Sequence, residues 1–365
     1  MIARLVVRGF RSLADLTWQP SPGRHLLVGG TGAGKTSVLE AIYLAATTRS
    51  FRTHQLSDCL RHDLAQADPG SAGFFVQIEV EPPRRTRLEV GWSPEQGLWR
   101  SVDGSSGSLS EHLEVLPVLS WTTADVDVLT GEPELRRRLI DRGIVADRPS
   151  TLTVLSRYRR ALQHKRRLLA ERQRGLRAWT EVLAAAAVEV VALRRDYVAA
   201  RRDVVSEVLE ESALGYPTLE IDYRPSPRAA LEGEDEALAA LEAQRQAEVD
   251  RSRPLIGPHR DRIEVLWGGR ELGRVASAGE RKAIGLLLLA AQARLLERRS
   301  RAPVLLLDDA DVELDRPTLG ALWGVLARAS QIVASSNRPE VWEALEIEAH
   351  WQVRDGHVEG PVEGL

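Results

Sequence analysis

Gly29-Gly30-Thr31-Gly32-Ala33-Gly34-Lys35-Thr36 is the stretch of this 365-residue chain whose residue types most plainly do chemistry. It fits the pattern GxxxxGK[ST], with a strand-like run before it and a helical pattern after it, which is the context the pattern requires. Glycines let a backbone wrap a phosphate at close range, and a helix N-terminus turns N–H groups and a positive dipole toward it. Lys35 is placed to reach β- and γ-phosphates and the Thr36 hydroxyl to ligate Mg²⁺, so ATP and Mg²⁺ are the expected cofactors. Far downstream, Ala302-Pro303-Val304-Leu305-Leu306-Leu307-Asp308-Asp309 reads as a strand apolar enough to be buried on both faces and ending in two acids. The carboxyl edge of an open α/β sheet is where ligands bind. Asp308 is expected to hold the metal, directly or through water. Asp309 is expected to orient the attacking water, which makes it, with Lys35, the catalytic pair.

A third segment, Ala276-Ser277-Ala278-Gly279-Glu280-Arg281, opens a helical pattern and has the S-x-G-[QE] form of the ABC-type signature. In that class of ATPase the segment meets the γ-phosphate held by a second subunit, through a serine hydroxyl, a glycine N–H and the helix dipole. A serine followed three residues later by glutamate is equally an ordinary capping box. The acidic strand and the Val312-Glu313-Leu314-Asp315 run behind it favour the trans-acting reading, with Ser277 and Gly279 as the contacts and an ATP-dependent homodimer as the consequence.

These segments need a scaffold, and the periodicities supply one. Residues 2–7 and 25–28 alternate as strands, and residues 37–46 read as a helix with Val38, Ile42 and Ala45 on one face. Residues 74–80 and 87–90 are further strands, with Pro82 and Pro83 breaking between them. From Ser150 the pattern turns helical: Leu152, Leu155, Leu162 and Leu169 recur among arginines. After Gly175 a second long stripe runs through Trp179, Leu183, Val190, Leu193 and Tyr197. Two long helices in succession make an antiparallel arm or lobe, or else ordinary core helices of a compact domain. Residues 231–250 are acidic and alanine-rich, as in a solvated helix, and α/β character returns near Ile256. The fold class is therefore α/β, with one domain assembled from both chain ends. Residues 1–121 and 251–365 form the phosphate-binding head, and residues 122–250 an inserted, mainly helical lobe.

Composition narrows the classes. A hydrophobic share of 43% suffices for a folded core. No run reaches the roughly 18 apolar residues of a membrane span; the best, residues 283–291, ends at Gln292 and Arg294. Cys59 is the single cysteine, which excludes a disulfide framework and a cysteine metal site. A cytosolic address follows by elimination. The net charge of -3 rules out a uniformly basic coat but not a local basic stripe. Candidate stripes are Arg157, Arg160, Arg166 and Arg167 on the first inserted helix and the run from Arg136 to Arg138, each of which also reads as a solvated face. Of the 49 basic residues only Lys35, Lys165 and Lys282 are lysine, and Lys35 has an evident chemical use.

Taken with these motifs, several short stretches resemble the RecF family over nearly the whole chain. They are Phe10-Arg11-Ser12, the Arg49-Ser50-Phe51-Arg52-Thr53 run, Gly131-Glu132-Pro133, Tyr158-Arg159-Arg160-Ala161-Leu162 and Gly257-Pro258-His259-Arg260-Asp261. The resemblance implies an ABC-type P-loop ATPase head that dimerises on ATP and hydrolyses it slowly, binds DNA at gaps with both single- and double-stranded parts, and helps load recombinase with RecO and RecR. It implies nucleotide roles for Gly29, Gly30, Thr31, Gly32, Ala33, Gly34, Lys35, Thr36, Asp308 and Asp309, trans contacts for Ser277 and Gly279, and an approach of Arg11 to the phosphates. The sequence departs from the family pattern at Thr31, where asparagine is usual, at Glu280, where glutamine is usual, and at Ser335-Ser336-Asn337. Those departures motivate a second reading, a nucleotide-binding scaffold with a degenerate site. A transporter ATP subunit fits less well because of the large helical insertion, and a small-molecule kinase leaves the signature segment unexplained.

Overall fold

A computed structural model describes residues 1–67, 72–81, 84–171, 175–227, 233–326 and 329–362. The expected break at Pro82 and Pro83 and the start of the acidic helix at Leu231 lie outside the described residues. The chain divides into two compact units. The first gathers Met1–Val126, Glu210–Leu214 and Ser277–Leu365; the second gathers Asp127–Leu209 and Gly215–Ala276.

The first unit holds two sheets. One is antiparallel, built from β1 (Ile2–Arg8), β2 (Leu16–Trp18), β4 (Phe74–Val80), β5 (Thr86–Ser93) and β6 (Gly97–Val102), in the order β2-β1-β4-β5-β6. The other contains β3 (Gly23–Val28), β7 (Val118–Trp121), β11 (Val304–Leu307), β12 (Gln331–Ser336), β13 (Ala349–Arg354) and β14 (His357–Val362), in the order β14-β13-β3-β12-β11-β7. All of its pairings are parallel except β13 with β14. A parallel sheet covered on both faces needs near-continuous apolar strands, and the four residues of β11 are all buried.

Between the two sheets runs α1 (Lys35–Thr47), which shares one core with Leu5, Val7, Phe74, Val76 and Ile78 of the antiparallel sheet and with Leu27, Val304, Leu306 and Val333 of the parallel one. The sequence suggests a one-faced helix, but α1 is buried nearly all round, because a sheet covers each side. Each fully buried Leu or Ile contributes roughly 1.5–3 kcal/mol, so the helix carrying the phosphate turn is anchored by the strongest packing in the unit. A second buried helix, Ala278–Arg298, packs so tightly on β7 that any side chain at Gly285 would enter the Trp121 ring.

The second unit is mixed rather than purely helical. Its helices Leu152–Ala170 and Leu176–Ser212 bury Leu155, Tyr158, Ala161 and Leu162 with Leu183, Ala187 and Val190. The unit also has a three-stranded sheet, β10-β9-β8, made of β8 (Leu219–Arg224), β9 (Arg262–Trp267) and β10 (Arg270–Glu271). This shifts the boundary expected at 251. β9 pairs antiparallel with β8 from Arg262↔Arg224 to Trp267↔Leu219, so residues 251–276 fall with the helices. The last turn of the long helix falls with the first unit instead, where Arg294 takes Glu211 at 2.6 Å.

Candidate nucleotide-binding site

The parallel register brings three strand ends to one edge. Val28 of β3 lies beside Ser336 of β12, and Ala334 of β12 beside Leu307 of β11. The glycine turn therefore leaves one strand, the acidic pair leaves another, and Ser335 and Ser336 close the strand between them. That edge is where ligands bind in open α/β sheets.

The turn is held open by its backbone. Gly34, at the N-cap of α1, has φ 114, a left-handed conformation that glycine alone adopts without strain. A side chain at Gly29 would run into the carbonyl of Val353, whereas one at Gly30 would meet open space. Lys35 is only 7% exposed, and its Nζ donates to the carbonyls of Gly29 at 2.7 Å and Gly30 at 3.0 Å. Two of its three donors thus hold the turn, and the ammonium rests inside the loop rather than in solvent.

Thr36 and Asp308, 272 residues apart, are joined by a hydrogen bond of 2.9 Å from Oγ1 to Oδ1. Ser335 Oγ donates to the same Asp308 oxygen at 2.7 Å and accepts from the Asp309 N–H at 3.1 Å. Burial pushes the Asp308 carboxyl above the usual carboxylate range, against the hydroxyls of Ser335 and Thr36, which favour its ionised form. Among the described residues no cluster of three or more His, Cys, Asp or Glu stands ready for a metal. The donors present are hydroxyl and carboxylate oxygens. That hard, incomplete set suits Mg²⁺, which keeps waters and takes phosphate oxygens to complete its octahedron. Asp309 adopts φ 48, strained for a residue with a side chain, and no hydrogen bond reaches its carboxylate among the described residues.

The signature segment forms the capping box that its letters allow. Ser277 caps the helix Ala278–Arg298, with Oγ accepting from the Glu280 N–H at 3.4 Å. Glu280 Oε2 accepts from the Ser277 N–H and hydroxyl, each at 2.7 Å. These bonds hold the Glu280 carboxyl below its ordinary range, so its charge persists. Ser277 is exposed, and among the described residues it bonds only within its own cap, not with the glycine turn. Gly279 lies where a Cβ would come within 3.1 Å of the Glu313 carbonyl.

Two buried cations were not singled out by spacing. Lys282, in the same helix, is 1% exposed and donates to the carbonyls of Asp309 at 2.8 Å and Val312 at 2.7 Å. It ties the signature helix to the loop that follows the acidic strand. Arg11 forks onto fully buried Glu40 of α1 at 2.9 and 2.7 Å and donates to the Asp58 carbonyl at 2.6 Å. Ser50 and Arg52 reach the same glutamate at 2.5 and 3.4 Å. The approach of Arg11 to phosphates, implied by resemblance, has to be set against this fork, which occupies both edges of the guanidinium. Scarcity of lysine was the one signal that could have found Lys282; Ser335 and Glu40 left none that spacing could reveal.

A family model described as the RecF/RecN/SMC N terminal domain matches residues 1–357. The DNA replication and repair protein RecF of Myxococcus xanthus is 32% identical over 349 residues, covering 91% of this chain and 89% of the relative. The chain belongs to the RecF family. The RecF of Chloroflexus aurantiacus is 33% identical over 353 residues, covering 86% of this chain and 87% of that one. Among solved structures, the recombination mediator protein RecF with ATP, from the RecFOR pathway, superposes with a TM-score of 0.84 at 23% identity, covering 98% of this chain and 96% of that one. An Smc head bound to the C-winged helix domain of ScpA superposes at 0.57 and 16% identity. Both likenesses concern the fold, an α/β head of the ABC ATPase kind. Membership of the RecF family makes this chain a RecF-like DNA replication and repair protein. No described helix is long and apolar enough to cross a membrane.

Within the RecF frame the two most specific stretches have structural work of their own. Ser50 and Arg52 brace Glu40, and Ser50 Oγ also accepts the N–H groups of Arg52 at 2.9 Å and Thr53 at 3.0 Å. Asp261 is buried and saturated, taking Arg194 at 2.8 Å, the Tyr223 hydroxyl at 2.7 Å and the Ser226 N–H at 2.9 Å.

Proposed function

We propose that this chain is an ATPase whose residues 29–36 bind ATP and whose Ser277 and Gly279 cover the γ-phosphate held by a second copy. The observation that carries the reading is the 2.9 Å bond between Thr36 and Asp308, which joins the phosphate turn to the acidic strand at one sheet edge. The exposed cap at Ser277, left without a partner in its own turn, is compatible with a contact from another copy.

In this reading Gly29, Gly30, Thr31, Gly32, Ala33 and Gly34 wrap the phosphates, and Lys35 exchanges its carbonyl partners for phosphate oxygens. Thr36 and Asp308 hold Mg²⁺, which neutralises charge building on the phosphates. Asp309, with a free carboxylate on a strained backbone, orients water for in-line attack. Nucleotide then acts as a ligand of the dimer, shifting its equilibrium by mass action. The ATP-bound dimer binds DNA at gaps, contacting single- and double-stranded parts, and assists recombinase loading with RecO and RecR in the cytosol. Arg11 bears on the phosphates through Glu40 and α1. The fixed charge of Glu280 beside the cap makes turnover slow.

Size-exclusion chromatography with light scattering tests this. The chain should dimerise with ATP and Mg²⁺, Asp309→Asn should trap that dimer, and Ser277→Arg should bind ATP yet stay monomeric. Lys35→Ala should bind no ATP. A trapped dimer in Asp309→Asn separates the enzyme from a degenerate scaffold, for which that substitution changes nothing. An ATP-independent oligomeric state, or DNA affinity unaltered by ATP, refutes the switch.

A further inference from the structure

The helical unit carries arginines on several faces, and the ion pairs show which of them are already engaged. Arg138 pairs with Glu134 at 2.6 Å, Arg167 with Glu171 at 2.9 Å, Arg177 with Glu181 at 3.2 Å, and Arg157 with Glu189. Arg136 is buried, donating to the carbonyls of Ile263 and Gly131, each at 2.6 Å. Three of the unit's remaining arginines, Arg137, Arg166 and Arg260, converge on one place, the imidazole of His259.

His259 is fixed by Tyr158. The tyrosine hydroxyl meets Nδ1 at 2.8 Å and accepts the His259 N–H at 3.0 Å. The ring's other nitrogen, Nε2, is buried with no hydrogen-bond partner. Arg137 reaches the Asp261 carbonyl at 2.9 Å and Arg260 the Pro254 carbonyl at 3.5 Å, so both flank the same short turn. The cation felt most strongly at the ring is Arg166, followed by Arg260 and Arg137. No carboxylate answers them. Asp261 spends both oxygens on Arg194, Tyr223 and Ser226, Asp141 takes the other edge of Arg194, and Glu134 takes Arg138. Arg137 is half desolvated and repelled by Arg194 and Arg260. Like charges gathered without a counter-charge cost free energy, which an arriving anion returns.

We propose that Arg137, Arg166 and Arg260, gathered around His259, form a binding site for a phosphate of the nucleic-acid backbone. The proposal rests on the reading of the chain as DNA-binding and narrows it to one place. Such contacts position a duplex or strand without reading its sequence, and they release counterions as they form. The neutral imidazole offers Nε2 either as a donor to a phosphate oxygen or, in the other tautomer, as an acceptor for a bound water.

The test uses the full chain with ATP and Mg²⁺, a fluorescein-labelled gapped duplex, and anisotropy titrations from low to moderate salt. Arg166→Gln with Arg260→Gln removes two exposed side chains, which the fold does not need. The slope of log K against log salt should flatten by about 2, near 0.9 per lost phosphate contact, and affinity at moderate salt should fall at least tenfold. Arg157→Gln with Arg167→Gln, taken from the paired arginines, should leave the slope as it was. An unchanged slope in the first double variant, with the parent binding DNA normally, overturns this site alone. A parent that binds no DNA overturns the DNA reading as well. Saturation of the His259 resonances by low-millimolar inorganic phosphate, without effect on DNA affinity, assigns the site to a free anion and overturns it for nucleic acid.

Discussion

Lys282→Met is the perturbation that separates positioning from folding at the candidate site. The ammonium is 1% exposed and supplies the donors for two buried carbonyls, Asp309 O at 2.8 Å and Val312 O at 2.7 Å. Hydrogen bonds to a charged group contribute about 1.5–3 kcal/mol each, but the charge itself costs several kcal/mol to bury. Burial already holds the Lys282 ammonium below the usual lysine range, with Asp311, Glu313, Asp309 and Asp308 pulling the other way. An apolar side chain of similar length loses the first and is spared the second, so the net stability change should be only about 1–3 kcal/mol. Its local effect is larger. The loop from Asp309 to Glu313 holds two non-glycine residues at positive φ, 48 and 66, and each costs roughly 1–3 kcal/mol that surrounding contacts must hold in place. Without Lys282 the loop relaxes, and Asp309 loses the position from which it would orient water. A displacement near 1 Å costs about 100-fold in rate. ATP hydrolysis under saturating nucleotide should therefore fall 10- to 100-fold, while the affinity for a fluorescent ATP analogue changes less than about twofold. Arginine at 282 should not restore the rate, since a planar guanidinium overfills a pocket shaped for an ammonium. Parallel loss of nucleotide affinity, rate and denaturation midpoint would mean that Lys282 merely holds the unit together, and an unchanged rate would refute the positioning argument outright.

Asp308→Asn should abolish the magnesium-dependent part of nucleotide affinity and leave the part measured in EDTA, because Lys35 and the glycine turn remain; equal loss in both buffers counts against Asp308 as a metal ligand. In the second unit, Lys165 and Glu248 meet at 2.7 Å with 2% and 1% side-chain exposure, in an ion pair whose angles fall outside those of a hydrogen bond. Glu248→Ala should cost about 3–5 kcal/mol in chemical denaturation, and Lys165→Met with Glu248→Leu should recover most of it; a mild single variant would show the ammonium finds water. Burial, with Arg166, Arg260 and Arg137 nearby, lowers the His259 pKa from 6.5 to about 3, so the unfolded chain takes this proton and the folded chain refuses it. That contribution is whole above pH 6.5 and is lost as pH falls toward 3, reaching up to about 3 kcal/mol by pH 4. Denaturation midpoints from pH 7 to pH 4 should fall less steeply in His259→Gln than in the parent, and identical slopes would exclude His259 as the source.

Local patterns made the pieces of the site legible, and the sheet order decided what they could not. A glycine turn between a strand and a helix, and an apolar strand ending in acids, announce themselves because each is a contiguous signal. That the two meet depends on β12 lying between β3 and β11, which is a long-range pairing with no local mark. Ser335 joins Asp308 to Asp309 for the same reason: its role comes from the register of Ala334 beside Leu307, not from its neighbours in sequence. The second unit was misjudged at its edge because β9 looks like any head strand until β8 is seen to pair with it. Arginine runs were ambiguous in sequence since charge repeats describe a helix face, while the carboxylates that silence Arg138, Arg157 and Arg167 come from one turn away or from another helix.

The lysines carry that lesson further. In a chain where almost every basic residue is arginine, all three lysines are buried, at 7%, 1% and 1% exposure. Each places its ammonium against fixed oxygens: Lys35 against the carbonyls of its own turn, Lys165 against Glu248, Lys282 against the loop after β11. A guanidinium suits exposed faces and forked carboxylates, as at Arg11 on Glu40 and Arg194 on Asp141. It cannot enter a pocket sized for one tetrahedral nitrogen with three donors. Composition that drifts to arginine wherever the surface permits leaves lysine only where the geometry of an ammonium is irreplaceable. The rarest cation in the chain thus marks its most confined polar sites, and two of the three lie at the proposed nucleotide machinery, one on each side of Asp308 and Asp309.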